Sequence, residues 1–137
     1  MLNIHSDEQS DTAVCRPAGE LEAYSVNQLR QALAEMASSP RLVIDLSAVT
    51  FVDSAGLGAL IGGIRHVRER GGDVAVACSR PVLIRLLHST GFDRIVYVTD
   101  TVADATEALS GEPDRDGSGR VGTGGRRAIH AGLPSLW

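Results

Sequence analysis

The sequence contains the stretch Leu42-Val-Ile-Asp-Leu-Ser-Ala-Val-Thr-Phe-Val-Asp-Ser-Ala-Gly-Leu-Gly58. Its mostly apolar beginning predicts a buried strand over 42–46. Apolar residues at helical spacing follow and predict a helix over about 55–70. Ser54 is therefore expected where a loop enters a helix, and the unpaired N–H groups and partial positive charge there favour a capping hydroxyl or a phosphate.

The residues after Ser54 are small. Ala55 and Gly56 leave the hydroxyl open to a visiting protein, so the arrangement suits a serine that another enzyme modifies. The position alone also fits an ordinary helix-capping serine that is never modified.

The rest of the chain up to Ser110 alternates between strand and helix patterns. Ser25 and Gln28 have the spacing of a capping box and predict a helix that closes at Ser38-Ser39-Pro40. The remaining predicted strands are a short one within 1–11 and others over 12–18, 73–78 and 95–98; the remaining predicted helices run from Pro81 to Gly91 and from Thr101 to Leu109. This order predicts an α/β fold with a mixed, mostly parallel five-stranded sheet and four to five helices, in which the first two strands form an antiparallel hairpin.

The composition changes after Ser110. The 137-residue chain has the length of one domain, and we assign that domain to 1–110. Residues 111–137 hold 7 of the 15 glycines and four arginines, without apolar periodicity. This Gly/Arg-rich tail is predicted to be disordered.

Charge and residue content exclude several functions. The net charge of −4 argues against nucleic acid as the main partner. All 13 basic residues are arginine, which removes Schiff-base, Walker A and lysine general-base chemistry. The first 20 residues are mostly polar, and no apolar run approaches the ~20 residues that span a bilayer. We therefore expect a cytoplasmic protein that does not bind membranes.

The two cysteines, Cys15 and Cys78, lie in strand-like stretches without metal-ligand spacing, so buried thiols and no metal site are expected. If the strands pair in sequence order, strand 42–46 separates the two cysteines. Two strand spacings amount to about 9–10 Å, beyond the ~7 Å that a disulfide bridges between α-carbons. A Cys15–Cys78 disulfide is therefore not expected.

Taken together, these motifs resemble the STAS domain of bacterial anti-sigma factor antagonists. The resemblance covers roughly residues 10–110. It is carried by Gly19-Glu20-Leu21-Glu22, Leu42-Val-Ile-Asp-Leu46, Asp53-Ser-Ala-Gly-Leu-Gly58, Gly71-Gly72, the Pro81-to-Gly91 helix and Phe92. Two positions depart from the family pattern: Glu22 stands where Asp is usual, and Ala55 where Ser or Thr is frequent.

The resemblance implies a phosphorylation-controlled binding protein that is not an enzyme and needs no cofactor. Ser54 would be phosphorylated by an anti-sigma factor that is itself a serine kinase, and a metal-dependent serine phosphatase would remove the phosphate. The unmodified protein, a monomer or weak dimer, would bind the anti-sigma factor and release its sigma factor. The implied partner-binding residues are Asp53, Ser54, Ala55, Gly56, Leu57, Gly58, Glu20, Glu22 and Tyr24.

Two alternatives stay open from the sequence. One is a small enzyme acting on phosphate esters or nucleotides with Ser54 as nucleophile, which would need a base brought close in space, such as His5 or His88. The other is a STAS module that binds nucleotide in a different signalling complex. A receiver domain phosphorylated on Asp45 is excluded, because it requires a late lysine.

Overall fold

Six strands and four α-helices follow one another in the computed structural model of the chain, which describes residues 2–9 and 11–110. The predicted tail, 111–137, lies outside the described residues. The strands are β1 (Leu2–Gln9), β2 (Thr12–Leu21), β3 (Arg41–Asp45), β4 (Ala48–Val52), β5 (Asp73–Ala77) and β6 (Tyr97–Thr99). The helices are α1 (Val26–Met36), α2 (Ser54–Glu69), α3 (Pro81–Ser89) and α4 (Val102–Ser110), and a 3-10 turn covers Phe92–Arg94.

The strands form one mixed sheet in the order β1-β2-β3-β5-β6, with β4 paired to the second half of β2. Among the described strands only the β1–β2 pairing is antiparallel, so the predicted hairpin and mostly parallel sheet are confirmed. Parallel neighbours joined by helical crossovers account for this arrangement.

The predicted count of five strands was wrong by one, because β4 was not recognised. In the β2–β4 register Gly19 faces Val49 and Glu20 faces Phe51, so Thr50 is an extra residue on β4. Such a bulge disturbs the two-residue alternation by which a half-buried strand is identified. The buried residues of β4 are accordingly Val49 and Val52, three positions apart.

Helices cover both faces of the sheet. Residues of α1, α2 and α3 pack in the main core with one face of the strands, including Cys15, Leu42 and Ile44. Residues of α4 pack with the opposite face in a second, smaller core; its buried members are Val14, Val43, Ala75, Ala77, Ala105 and Leu109. Burial on both faces explains why the central strands are apolar at nearly every position.

The start of α1 differs from the capping box that the sequence predicts. Ser25 precedes α1, but its side chain does not cap the helix. Its hydroxyl accepts a hydrogen bond from the Glu22 N–H (3.0 Å) and donates one to the Glu20 carbonyl (2.6 Å). The Gln28 amide donates to the Leu2 carbonyl on β1 (3.0 Å). The predicted capping box is therefore wrong, because both side chains bind groups outside the helix.

The later boundaries agree more closely. Thr101 caps α4 by accepting a hydrogen bond from the Asp104 N–H (3.0 Å), and the helix begins one residue after the predicted start. β6 begins two residues later than predicted. Ile95 and Val96 are buried, but they follow the 3-10 turn, and pairing with β5 starts at Tyr97.

Both cysteines are buried free thiols; as predicted, β3 lies between β2, which contains Cys15, and β5, which Cys78 directly follows. Burial raises the pKa of the Cys15 thiol to about 12 and also raises the pKa of Cys78. Within the described ranges, none of the helices combines the length and apolar character needed to cross a membrane.

Candidate functional site

Ser54 is the first residue of α2. A single residue, Asp53, separates it from the end of β4. Its side chain is exposed, and within the described residues its hydroxyl makes no hydrogen bond. The N-cap of α2 is Asp53, whose Oδ1 accepts a hydrogen bond from the Gly56 N–H at 2.8 Å. The interpretation of Ser54 as an ordinary capping serine is therefore wrong, because its neighbour performs that role.

Asp53 also ties α2 to the loop between β2 and α1. Its backbone N–H donates to the Leu21 carbonyl at the end of β2 (3.1 Å), and its carbonyl accepts from the Leu57 N–H (2.9 Å). Its second carboxylate oxygen, Oδ2, accepts from the Ala23 N–H (3.2 Å). Both oxygens of this carboxylate are thus bound within the protein.

The β2–α1 loop, residues 22–25, has internal hydrogen bonds of its own. The Tyr24 N–H donates to the Glu22 side chain (2.6 Å), and the Ser25 N–H donates to the Glu22 carbonyl (2.9 Å). Glu22, which stands where the family usually has aspartate, therefore accepts hydrogen bonds within the turn through both its side chain and its carbonyl. The loop presents Tyr24 outward with 97% of its surface exposed.

A shallow open depression lies between this loop and β4. It is lined by Glu20, Glu22, Ala23, Tyr24, Phe51 and Asp53. The structure thus brings the predicted residues Glu20, Glu22 and Tyr24 together with Asp53, although 30 positions separate Asp53 from Ala23 in the chain. The depression joins three carboxylates to two aromatic rings.

Two residues of this depression, Ala23 and Phe51, were not predicted from the sequence, and Phe51 is the aromatic one. Its side chain is 52% exposed, although it lies in an apolar stretch. Val49, Phe51 and Val52 cannot all face the same side of one short strand, which is the signal that could have identified an outward aromatic residue.

The predicted contact residues on α2 differ in accessibility. Gly58 is exposed, Ala55 and Leu57 are half-buried, and Gly56 is buried. An added Cβ at Gly56 would overlap the Leu21 carbonyl oxygen, whereas one at Gly58 would meet nothing within 4 Å. Gly56 therefore lets the helix start approach β2, while Gly58 leaves bare backbone at the surface.

Among the described residues, no histidine or other base forms a hydrogen bond with the Ser54 hydroxyl, as activation of a serine nucleophile requires, and the carboxylate of the adjacent Asp53 is engaged elsewhere. His88 lies on α3 with its Nδ1 2.9 Å from the Asp93 carboxylate. His5 lies on β1, paired in register with Arg16. Residues 2–9 and 11–110 contain no group of three or more His, Cys, Asp or Glu side chains that could hold a metal ion.

Comparison with known proteins shows which family the chain resembles. The family model of the STAS domain matches residues 3–105. An anti-sigma-B factor antagonist of Bacillus subtilis is 30% identical over 99 residues, which are 72% of this chain and 91% of that protein. An anti-sigma F factor antagonist of Paenibacillus polymyxa is 27% identical over 111 residues, 79% of this chain and 95% of that protein.

One of the solved structures has a fold similar to that of this chain. The crystal structure of an anti-sigma factor antagonist from Mycobacterium paratuberculosis superimposes with a TM-score of 0.74 at 29% identity, covering 80% of this chain and 95% of that one. The chain belongs to the STAS domain family, which confirms the resemblance. Its curated relatives are anti-sigma factor antagonists, a class of regulatory proteins.

Proposed function

We propose that this chain is an anti-sigma factor antagonist that is switched by phosphorylation of Ser54. The unmodified protein binds an anti-sigma factor, which releases its sigma factor. The anti-sigma factor is a serine kinase that phosphorylates Ser54 and so ends the complex. A metal-dependent serine phosphatase restores the binding form. The names of the relatives support the first step. The exposed hydroxyl of Ser54 supports this residue as the modified one. The kinase and the phosphatase are those that the resemblance to the family implies.

The observation that carries this proposal is the unengaged hydroxyl of Ser54 at a helix start that is already capped. Because Asp53 supplies the cap, modification of Ser54 removes no cap from α2. Two other serine hydroxyls in the loops of the fold are occupied: Ser47 donates to the Asp45 carboxylate (2.6 Å), and Ser25 donates to the Glu20 carbonyl (2.6 Å). Of these three hydroxyls, Ser54 is the one that a kinase can modify without breaking a hydrogen bond of the described fold.

The proposed docking surface lies around this hydroxyl. It comprises the exposed parts of Ser54, Ala55, Leu57 and Gly58 on α2, together with Glu20, Glu22 and Tyr24 across the depression. The bare backbone at Gly58 allows a partner to approach closely, and Tyr24 offers the kind of side chain that frequently anchors protein interfaces.

A phosphate on Ser54 opposes binding for electrostatic reasons. It carries about −1.5 to −2 charges at neutral pH. In the free protein, water and the start of α2 stabilise that charge. In a complex the same charge would be desolvated beside the Asp53 carboxylate, where it is repelled and its burial is costly. Phosphorylation therefore favours the dissociated protein.

The test begins by isolating the kinase that co-purifies with the Ser54→Ala variant, followed by binding measurements with purified proteins. With ATP, the wild-type chain should accept about one phosphate, on Ser54, and the Ser54→Ala variant none. We expect Ser54→Asp to bind at least about tenfold more weakly than Ser54→Ala, a difference of about 1.4 kcal/mol.

Ser38→Asp is the matched control. Ser38 is also exposed, but it follows α1, whose 11 residues extend about 16 Å from the loop at the site. The added charge there should leave binding unchanged. Equal affinity of Ser54→Ala and Ser54→Asp would contradict the proposed switch, and catalytic turnover of ATP by the isolated chain would support the enzyme alternative instead.

A further inference from the structure

The Asp53 carboxylate bridges two separate parts of the docking surface. One oxygen holds the Gly56 N–H in the first turn of α2 (2.8 Å), and the other holds the Ala23 N–H in the β2–α1 loop (3.2 Å). In the described part of the chain, the Ala23 contact is the single hydrogen bond that joins residues 22–25 to the segment 53–58.

The remaining hydrogen bonds of the loop do not involve α2. The Glu22 N–H is held by the Ser25 hydroxyl (3.0 Å), and the Tyr24 N–H is held by the Glu22 carboxylate (2.6 Å). The Ser25 hydroxyl in turn is anchored on the Glu20 carbonyl (2.6 Å). The loop can therefore detach from Asp53 and still keep its own turn.

We propose that Asp53 is a positioning residue, through which the modification state of Ser54 controls the position of the β2–α1 loop. This inference rests on the proposed function, since it assumes that Ser54 carries a phosphate in one state. In the unmodified state Asp53 holds Tyr24 and α2 together as one docking surface. In the phosphorylated state it releases the loop.

The physical reason is competition between two anions at one helix start. A phosphate on Ser54 is attracted by the N–H groups of the first turn of α2, of which that of Gly56 is already held by Asp53. It also repels the adjacent carboxylate. Displaced from its position, the carboxylate cannot keep both bonds. The bond to Ala23 is the longer and more exposed of the two, so it breaks first.

The experiment uses the full chain with phosphoserine placed at position 54 during translation, so that no kinase is required. Backbone amide exchange is followed by nuclear magnetic resonance. Phosphoserine should raise the exchange rate of the Ala23 amide by about fivefold or more, because that amide loses its acceptor. The Glu22 amide, held by Ser25, should change by less than about twofold and serves as the internal control.

Asp53→Asn separates positioning by Asp53 from any general effect of the phosphate. The two N–H groups bind different carboxylate oxygens, and asparagine has an NH₂ donor in place of one of them, so it can accept at only one of the two positions. Unmodified Asp53→Asn should therefore already show fast exchange at Ala23 while Gly56 stays protected. Phosphoserine added to that variant should not accelerate Ala23 further. Phosphoserine at position 38 should have no effect in either background.

Two results would overturn the inference. One is an Ala23 exchange rate that phosphoserine at position 54 leaves unchanged. The other is an acceleration of equal size in the Asp53→Asn variant, which would mean that the phosphate acts on the loop by another route. Failure to find a kinase for Ser54 would contradict the proposed function but would not alter either of these measurements.

Discussion

Gly56 packs directly on the backbone of Leu21. A Cβ at position 56 would overlap the Leu21 carbonyl oxygen and would lie 2.8 Å from its carbonyl carbon and 2.9 Å from its Cβ. The start of α2 is therefore seated on the end of β2 without space for a side chain. This close approach sets the distance between the end of β2 and the first turn of α2, which carries Ser54.

Gly56→Ala should accordingly destabilise the fold. The added methyl group meets backbone that cannot move aside, and overpacking of this kind costs about 1–3 kcal/mol. Urea unfolding measures the loss. Gly62→Ala is the control: it lies in the same helix, its Cβ would meet nothing within 4 Å, and the better helix propensity of alanine should raise stability by up to about 1 kcal/mol. Equal stability of the two variants would contradict the close packing at Gly56.

Gly58→Ala should make the protein more stable and a weaker binder. Its Cβ also projects into open space, so the fold gains helix propensity as in Gly62→Ala. On the proposed docking surface, however, the methyl group would hold the partner away from the helix backbone. We expect an affinity loss of about threefold or more, or about 0.7 kcal/mol. Gly62→Ala lies one turn further from Ser54 and should bind normally. The same affinity for both variants would mean that Gly58 does not contact the partner.

The sequence was sufficient to predict the fold where periodicity is regular. The helix predicted over 55–70 is α2, Ser54–Glu69, because its apolar spacing is undisturbed. β4 was missed because the extra residue Thr50 breaks the alternation. The Ser25–Gln28 capping box was a local inference that tertiary contacts overrode, since Gln28 reaches β1.

The same contrast applies to the site. Ser54 could be located from the strand, loop and helix pattern around it. That Asp53 and not Ser54 would cap α2 depends on backbone angles that the sequence does not show: Asp53 is extended, with φ −102° and ψ −174°, as an N-cap requires. The contact between Asp53 and Ala23 joins residues 30 positions apart and could not be read from local patterns.

Alkaline pH should destabilise the protein through Cys15. Burial raises the pKa of this thiol from 9.0 to about 12, so the folded state holds the proton more tightly than the unfolded state. The corresponding stability is fully present below pH 9 and is lost as pH rises from 9 to about 12. The slope is at most about 1.4 kcal/mol per pH unit for one thiol.

Urea unfolding of wild type and Cys15→Ala at several pH values tests this. The variant should be less stable at pH 7, because it lacks part of a core side chain, but its stability should fall less steeply above pH 9. The chain has no lysine, so lysine titration does not interfere in this range. Identical slopes would mean that Cys15 ionises as readily in the folded state as in the unfolded state.

Deletion of residues 111–137 should leave the thermal midpoint within a few degrees of wild type. Seven glycines in this segment make it entropically expensive to order. An opposing possibility is that Leu133, Leu136 and Trp137 cover a sheet face left open by the helices. However, α4 already packs on the second face of the sheet. A truncation after Ser110 that unfolds or aggregates would nevertheless show that the segment covers apolar surface.

Because β2 pairs with two successive strands, its two halves differ in how many of their positions can be substituted without disturbing the core. Its first half, paired with β3, contributes Ala13 and Cys15 to the core and tolerates little change. Its second half, paired with β4, places Glu20 and Phe51 side by side at the surface. If the proposed docking surface is correct, substitutions at these two positions should change partner preference while the interior stays intact, so that one fold can diversify into pairs that do not cross-react.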